Sequence, residues 1–412
     1  MTPSLPSHPS DPSHPSHPSD PSHPSFPSHP SLPPGWRWVR LAEVCEKETG
    51  TRNPRFQPEK PFRYVDITGV NSRTKRIAEA RTLLGRDAPS RAREVIFSDD
   101  VIVSTTRPNL NAVAVVPPEI HNEICSTGFC VLRAGPNLDP AYLFAFVQTS
   151  EFVKNLSDLV KGALYPAVTD SQVREQMIPL PPLEEQKRIA AILNEQMAAV
   201  ERARAAAEAR LEAAKALPAA FLRESLKAGL RQRLPLEKCL VEISNGVGPD
   251  WSKHRLVGAT RAGLAPAKEA IGKRPERYKL AEHGTIFYNP MRILLGSIAM
   301  IDEEDEPAIT SPDYVVFKTV EGLLHPRWFY FWLRSSDGDS FIKTLTRGAV
   351  RERMLFRRLS KAEIVLPPWP AQVAAAERMK GVTRLVRRIA EEIEAIEVLP
   401  RALLRRAFNG EL

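Results

Sequence analysis

Two stretches of the chain repeat apolar residues every seven positions. From Leu183 to Lys227 one series is Leu193, Val200, Ala207, Ala214 and Phe221, with Met197, Arg204, Leu211 and Pro218 four residues on. From Ala371 to Phe408 the spacing returns in Val382, Ile389, Ile396 and Leu403, and in Val386, Ile393, Pro400 and Ala407. A stripe with a 3.5-residue period predicts helices that pair with a helix rather than lie alone on a surface. The IPLPP run before Leu183 suits a helix start, because a proline there gives up no intrahelical hydrogen bond. The two stripes lie 182 residues apart, a multiple of seven, so both keep one heptad phase. At about 1.5 Å per residue each helix spans roughly 60 Å, the dimension of a spacer. Pro218 and Pro400 occupy equivalent places. Either both helices kink there, at ~3 kcal/mol each, or both end and leave short terminal helices FLRESL and ALLRRAF.

The remaining sequence alternates short β-rich runs with turn residues. VIVSTT (101–106), AVAVVP (112–117) and FCVLR (129–133) form one set, and TIFYN (285–289), SIAMI (297–301) and YVVFK (314–318) another. Each set precedes an aromatic amphipathic segment, PAYLFAFVQTSEFVKNL or PRWFYFWLRSS, which reads as a helix packed on a sheet. Tyr142, Phe144, Phe146, and Trp328 to Trp332, are at helical spacing beside apolar residues, which places them in a core rather than on a stacking platform. The fold class is therefore α/β (mixed α+β).

The two sets are one pattern repeated. Shifting the chain by 186 residues brings Pro140 onto Pro326, Gly162–Ala163 onto Gly348–Ala349, Ile178 and Leu180–Pro182 onto Ile364 and Leu366–Pro368, and Gln186 onto Gln372. Upstream the offset is 185: Ser126 meets Ser311, Arg107 meets Arg292, and AVAVV meets SIAMI. So many coincidences at offsets of 185 and 186 mark an internal duplication. The expected domains are a Pro/Ser-rich tail (1–31), a first α/β domain (32–182), a first spacer helix (183–230), a second α/β domain (231–368) and a second spacer helix (369–412).

In the tail, proline stands at every third position from Pro3 to Pro33. That period fits solvated polyproline II, so the tail is expected to be disordered and its histidines (His8, His14, His17, His23, His29) merely solvated. So regular a repeat also fits a translated tandem DNA repeat upstream of the true start. No apolar run reaches eighteen residues and no signal pattern opens the chain, which together point to the cytoplasm and away from a membrane. Cys45, Cys125, Cys130 and Cys239 have no paired spacing and read as buried reduced thiols.

Charge adds the candidate contacts. The net charge is +8, a moderate excess compatible with nucleic acid. It concentrates in corresponding loops of the two domains. Residues 73–93 carry Arg73, Lys75, Arg76, Arg81, Arg86, Arg91 and Arg93 against Glu79 and Asp87; residues 253–279 carry eight bases, including Lys273, Arg274 and Arg277, against Glu269 and Glu276. Such loops suit phosphate contact, with a few Arg or Asn side chains reading base edges. Arg107 and Arg292, beside Asn109 and Asn289, align across the repeat and form the best single pair. A solvated charged surface is the plainer alternative for all of them.

Catalytic chemistry is missing from the pattern. YNPMR (288–292) lacks the second proline and the aromatic of an amino-methyltransferase motif, and no Gly-rich cofactor loop precedes it. Pro312–Asp313 has no following Glu-x-Lys of a nuclease, the run Asp302–Glu306 reads as a solvated turn, and no P-loop occurs. No catalytic or metal-binding residue is assigned. A fused methyltransferase or nuclease, and a coiled-coil scaffold without DNA binding, remain the competing readings.

The stretches LPPGWRWVRLAEV (32–44), KGALYPAVTDSQVREQMIPLPPLEEQKRIAAIL (161–193) and FNGEL (408–412) resemble the specificity subunits of bacterial type I restriction–modification enzymes. The junction from IPLPPLEEQ into the helix is the most specific part, and the resemblance spans about residues 32–412. It implies two target recognition domains separated by two long antiparallel helices that form a coiled coil, with an internal pseudo-two-fold repeat. Each domain would read one half of a split double-stranded DNA target, the helices setting the spacing. It also implies two modification (adenine N6 methyltransferase) subunits carrying S-adenosylmethionine and, where present, restriction subunits using ATP and Mg; this chain itself would hold no cofactor. The helices carrying Leu193, Val200, Leu211, Phe221, Val382, Ile389, Ile396 and Leu403 would form the scaffold that contacts the modification subunits. The second junction departs from the pattern, LPPWPAQ standing where the first has LPPLEEQ, and the Pro-Ser tail is foreign to it.

Overall fold

The structure is a computed structural model that describes residues 31–160, 166–346 and 353–412. Residues 1–30 of the Pro/Ser tail and the two Gly-Ala pairs of the repeat lie outside the described residues. The chain forms two compact units, Met1–Asn194 with Leu403–Leu412, and Glu195–Ala402.

The first unit opens with strand β1 (Arg37–Arg40) and the single turn α1 (Leu41–Val44). Strand β2 (Pro61–Val65), a small hairpin of β3 (Val70–Asn71) and β4 (Arg76–Ile77), β5 (Arg81–Leu84) and β6 (Ala92–Ile96) follow. Next come β7 (Val101–Ser104), β8 (Val113–Val115), β9 (Glu123–Ser126) and β10 (Phe129–Leu132). Helices α2 (Pro140–Phe146), α3 (Ser150–Asp158) and α4 (Asp170–Arg174), strand β11 (Met177–Leu180) and the long α5 (Leu183–Lys227) complete the half. One sheet has the order β5-β2-β9-β6 and a second the order β10-β7-β8, while β1 and β11 form an antiparallel ribbon. All residues of β7 and β10 are buried. This explains why VIVS and FCVL are continuous apolar runs instead of alternating ones. Helix α2 begins where Asp139 accepts from the Tyr142 amide, and α3 where Thr149 accepts from the Phe152 amide. Each cap satisfies a backbone donor that a helix start leaves without a partner.

The second half repeats the order. After β12 (Gln232–Pro235) and β13 (Leu240–Glu242) come β14 (Arg255–Thr260), β15 (Gly263–Pro266) and β16 (Lys279–Ala281). Strands β17 (Ile286–Tyr288), β18 (Ile298–Met300), β19 (Ala308–Thr310) and β20 (Val315–Thr319) follow. Then come α6 (Pro326–Leu333), α7 (Ser336–Thr346), α8 (Phe356–Ser360), β21 (Glu363–Leu366) and α9 (Trp369–Phe408). Its sheets run β15-β14-β19-β16 and β13-β20-β17-β18, with β12 and β21 as the ribbon. Each four-stranded sheet of this order contains one parallel pair, β2 with β9 and β14 with β19. The duplication read in sequence is thus a duplication of topology.

Residues 195–227 of α5 pair with residues 369–402 of α9 inside the second unit. The ion pairs Arg210–Glu392 and Glu224–Arg378 define an antiparallel alignment, since one partner advances by fourteen as the other retreats by fourteen. Ala207, Ala214 and Ile389 are buried at the seam, flanked by Leu211, Val386, Ile393 and Ile396. Isoleucine opposite alanine fills the space between the two helices. Both helices run unbroken through Pro218 and Pro400, so the reading in which they end there does not hold.

Each α/β module is clasped by the last turns of a long helix. In the first unit Phe408 packs with ring centroids 5.0 Å from Tyr142 and 5.6 Å from Phe146. In the second, Leu222 joins the core around Trp328, and Trp328 Nε1 donates to Ser225 Oγ at 2.9 Å. Tyr142 and Trp328 are equivalent at an offset of 186. Tyr142, Phe146, Trp328, Phe329 and Trp332 are thus buried core residues, as their spacing predicts, while Phe144, Tyr330 and Phe331 are half-buried. The four cysteines are buried and unbridged, and burial pushes the Cys45 thiol up to about 12; such thiols are poor nucleophiles.

Candidate DNA-recognition surfaces

The first basic cluster begins on the β3–β4 hairpin. Asn71 Oδ1 accepts from the amides of Arg73 and Thr74 at 2.9 and 3.0 Å, which turns the chain tightly and leaves Arg73 and Arg76 exposed. Lys75 behaves differently. It sits in the left-handed region at φ 55°, is half-buried, and its Nζ donates to the Asn111 carbonyl at 2.6 Å. Burial lowers its pKa to about 8. Lys75 is therefore a strut that ties the hairpin to the loop carrying Arg107. Arg81 and Arg86 are also engaged, with Asp66 and Glu59. Among the described residues Arg76, Arg91 and Arg107 have no carboxylate within ion-pair distance.

Arg107 and Arg292 stand at matching points of matching hairpins. Strands β7 and β8 are closed by the Ser104 amide donating to Ala112 O at 2.9 Å; β17 and β18 are closed by the Asn289 amide donating to Ser297 O at 3.2 Å. Each pair of residues differs by 185. Between them lies a one-turn 3₁₀ segment, Pro108–Leu110 or Ile293–Leu295. A left-handed residue ends it in both cases, Asn111 at φ 46° and Gly296 at φ 81°. Asn and Gly are the residues that tolerate this conformation best. A further match braces the base of each tip: the Val168 amide donates to Thr105 O at 2.9 Å and the Met354 amide to Pro290 O at 3.0 Å.

Arg107, Asn109 and Arg292 are exposed on these tips. Asn289 is half-buried and its Oδ1 accepts from the Met291 amide at 2.9 Å, so it shapes the turn. Residues 288–292 are thus a hairpin shoulder, with Tyr288 fully buried. Lys273, Arg274 and Arg277 are exposed around the 3₁₀ turn Pro275–Arg277, away from the hairpin in sequence. Lys279, by contrast, turns inward to donate to Tyr314 O, and burial lowers its pKa.

The helix residues expected to meet partners are placed mostly inward. Leu193, Val382 and Ile389 are buried, Leu211 and Ile396 line the seam, and Phe221 packs on the second module's core. Val200 and Leu403 are half-buried. A heptad stripe is the part of a helix that its own neighbours cover. The large apolar side chains left exposed on the two long helices are Leu217, Leu385, Val398 and Leu399.

The sequence repeat flagged Gln186 and Gln372 only as landmarks, yet each is a buried anchor. Gln186 Oε1 accepts from the Asp139 amide, and its Nε2 donates to Asn137 O and Pro181 O. Gln372 Oε1 accepts from the His325 amide, and its Nε2 donates to Leu323 O and Pro367 O. All four positions are offset by 186. A glutamine that satisfies three backbone groups fixes the first turn of each long helix against its own module. Among the described residues there is no group of three His, Cys, Asp or Glu able to hold a metal, and no helix is long and apolar enough to cross a membrane.

Two equivalent α/β modules, each locked to a long helix and each presenting an arginine-bearing hairpin tip, define a duplicated scaffold of recognition modules. Comparison with known proteins gives that class its family. Residues 33–207 match the type I restriction modification DNA specificity domain. A chain from a structural study of complex assembly and conformational transition in the type I R-M system is 30% identical, with a TM-score of 0.71 over 93% of this chain and 100% of that one. The HsdS subunit of Thermoanaerobacter tengcongensis is 29% identical, with a TM-score of 0.57 over 92% and 98%. The EcoKI specificity subunit of Escherichia coli K12 is 21% identical over 353 residues, 77% of this chain and 75% of that protein. The chain belongs to the family of type I restriction–modification specificity subunits, which are non-catalytic.

Proposed function

We propose that this chain is the DNA sequence-specificity subunit of a type I restriction–modification complex and reads a target split into two halves. Residues 32–182 and 231–368 are its recognition domains, and residues 183–230 and 369–412 its spacer helices. Arg73, Arg76, Arg107 and Asn109 serve one half-site; Lys273, Arg274, Arg277 and Arg292 serve the other. Lys75 and Asn289 act through the loop and the turn that they brace. The chain positions two modification subunits that bring S-adenosylmethionine and methylate adenine, together with restriction subunits where these exist, in the cytoplasm. Flipping the target base out of the duplex is then the partner's task.

The observation that supports this most is the pairing of duplicated modules with duplicated anchors. A rigid spacer between two readers would make the second half-site encounter intramolecular, which a flexible joint would weaken. Phosphate contacts give salt-dependent affinity and base contacts give sequence.

The test is co-expression with the cognate methyltransferase subunits, followed by mapping of N6-methyladenine over the host genome. A split motif is expected, and exchanging residues 32–182 for those of a relative should change one half alone. An undivided motif, or a change in both halves, would refute the half-site reading.

A further inference from the structure

The hairpin tips carry one more matched residue. Leu110 and Leu295 are equivalent at the offset of 185 that aligns Arg107 with Arg292. They are the last residues of the two 3₁₀ turns, and their amides donate to Arg107 O and Arg292 O, each at 2.9 Å. Both side chains are exposed, Leu110 at 53% and Leu295 at 72%. An exposed leucine by itself is ordinary. Two of them at one register, on turns that end in a left-handed residue and are braced by matching hydrogen bonds, are a built feature.

The surroundings say what the leucines meet. In the first module the tip carries exposed Arg107, and Lys75 binds the loop at Asn111 O and brings in the Arg73–Arg76 hairpin. In the second, exposed Arg292 lies three residues before Leu295, Arg334 donates to Gly296 O at 3.5 Å and to Ile298 O at 2.9 Å, and the exposed Arg353 donates to Met291 Sδ at 3.4 Å. Helices α3 and α7 pack against the tips. An apolar tip set among cations disfavours an apolar partner surface, which would desolvate those charges, and fits a polyanion with an apolar interior, which is the make-up of a nucleic-acid duplex. Apolar side chains act on duplexes by touching the thymine methyl or by wedging into a base step.

From this we infer that Leu110 and Leu295 are specificity-determining residues that touch bases, each in the half-site of its own module, while the arginine on the same turn holds the phosphates. The inference rests on the proposed reading of split DNA. Each leucine belongs to the tip and not to the core, so its removal leaves the fold intact.

The experiment uses the full chain co-expressed with its methyltransferase subunits and reads the genomic N6-methyladenine motif. Leu295→Ala should relax the motif at one or two adjacent positions of one half and leave the other half unchanged; Leu110→Ala should do the same to the opposite half. Arg107→Ala should instead lower methylation at all sites without relaxing the motif. If Leu295→Ala abolishes methylation, the purified complexes are titrated with a duplex carrying the wild-type motif. Recovery of binding by Leu295→Met then supports an apolar base contact, and no recovery overturns it. An unchanged motif in both leucine variants overturns the inference while leaving the half-site reading intact. Absence of a split motif in the wild type overturns that reading instead.

Discussion

Replacing Gln186 by leucine tests whether a single side chain locks a recognition module to its helix. Gln186 is fully buried, with hydrogen bonds of 2.9, 3.1 and 2.9 Å to the Asp139 amide and to the Asn137 and Pro181 carbonyls. Leucine has a similar volume but leaves one amide and two carbonyls without partners. A lost hydrogen bond to a buried group costs about 1 kcal/mol. Asn137 is exposed and its carbonyl can turn to water, so the expected loss is about 2–3 kcal/mol rather than the full sum. For a unit of roughly 200 residues that is a drop of about 4–12 °C in Tm. Calorimetry measures it, and hydrogen exchange of the peptide containing residues 137–146 locates it, because Asp139 also caps α2. Gln372→Leu should destabilise the second unit comparably, since its three bonds are equivalent and the two sites share no partner. A Tm change below 1 °C for Gln186→Leu, with unchanged exchange at residues 137–146, would refute the anchoring role.

Other perturbations follow from the same geometry. Arg133 makes a two-point pair with the buried Asp100 at 2.8 and 2.7 Å, so Arg133→Ala should cost about 3–5 kcal/mol in urea unfolding by leaving that carboxylate uncompensated. Ile389→Ala opens space opposite Ala207 and Ala214 and should cost about 2–5 kcal/mol, visible as early loss of helical circular dichroism. The Arg210–Glu392 pair is half-exposed on both sides, and a double-mutant cycle should find a coupling below about 1 kcal/mol. Burial holds the folded-state pKa of Lys75 at about 8, below its ordinary value, so the unfolded chain binds more protons above that pH. Stability contributed by this site should therefore rise from about pH 8 towards pH 10. The difference in urea midpoint between wild type and Lys75→Met should follow that rise; a pH-independent difference would show that Lys75 keeps an ordinary pKa.

The periodic features of this protein are written locally and were legible in the sequence. A heptad stripe records which side of a helix is covered, and so the phase shared by α5 and α9 follows from spacing alone, while their continuation through Pro218 and Pro400 does not. Continuous apolar runs mark strands covered on both faces, as in β7 and β10. Duplication shows because each half had to preserve the same turns and anchors. What the sequence could not decide was which copies of a residue type face inward. Lys75 and Arg76 are neighbours of equal charge, yet one is drawn to a carbonyl thirty-six residues away and the other is left in water. The resemblance assigned the helices that carry the heptad leucines and isoleucines to partner contact, but the antiparallel pairing and the clasped modules use most of those side chains internally. Gln186 and Leu110 carried no chemical signal of their own. Their roles come from three backbone groups converging on one side chain, and from a hairpin tip holding another in solvent, and both are set by contacts between segments far apart in the chain.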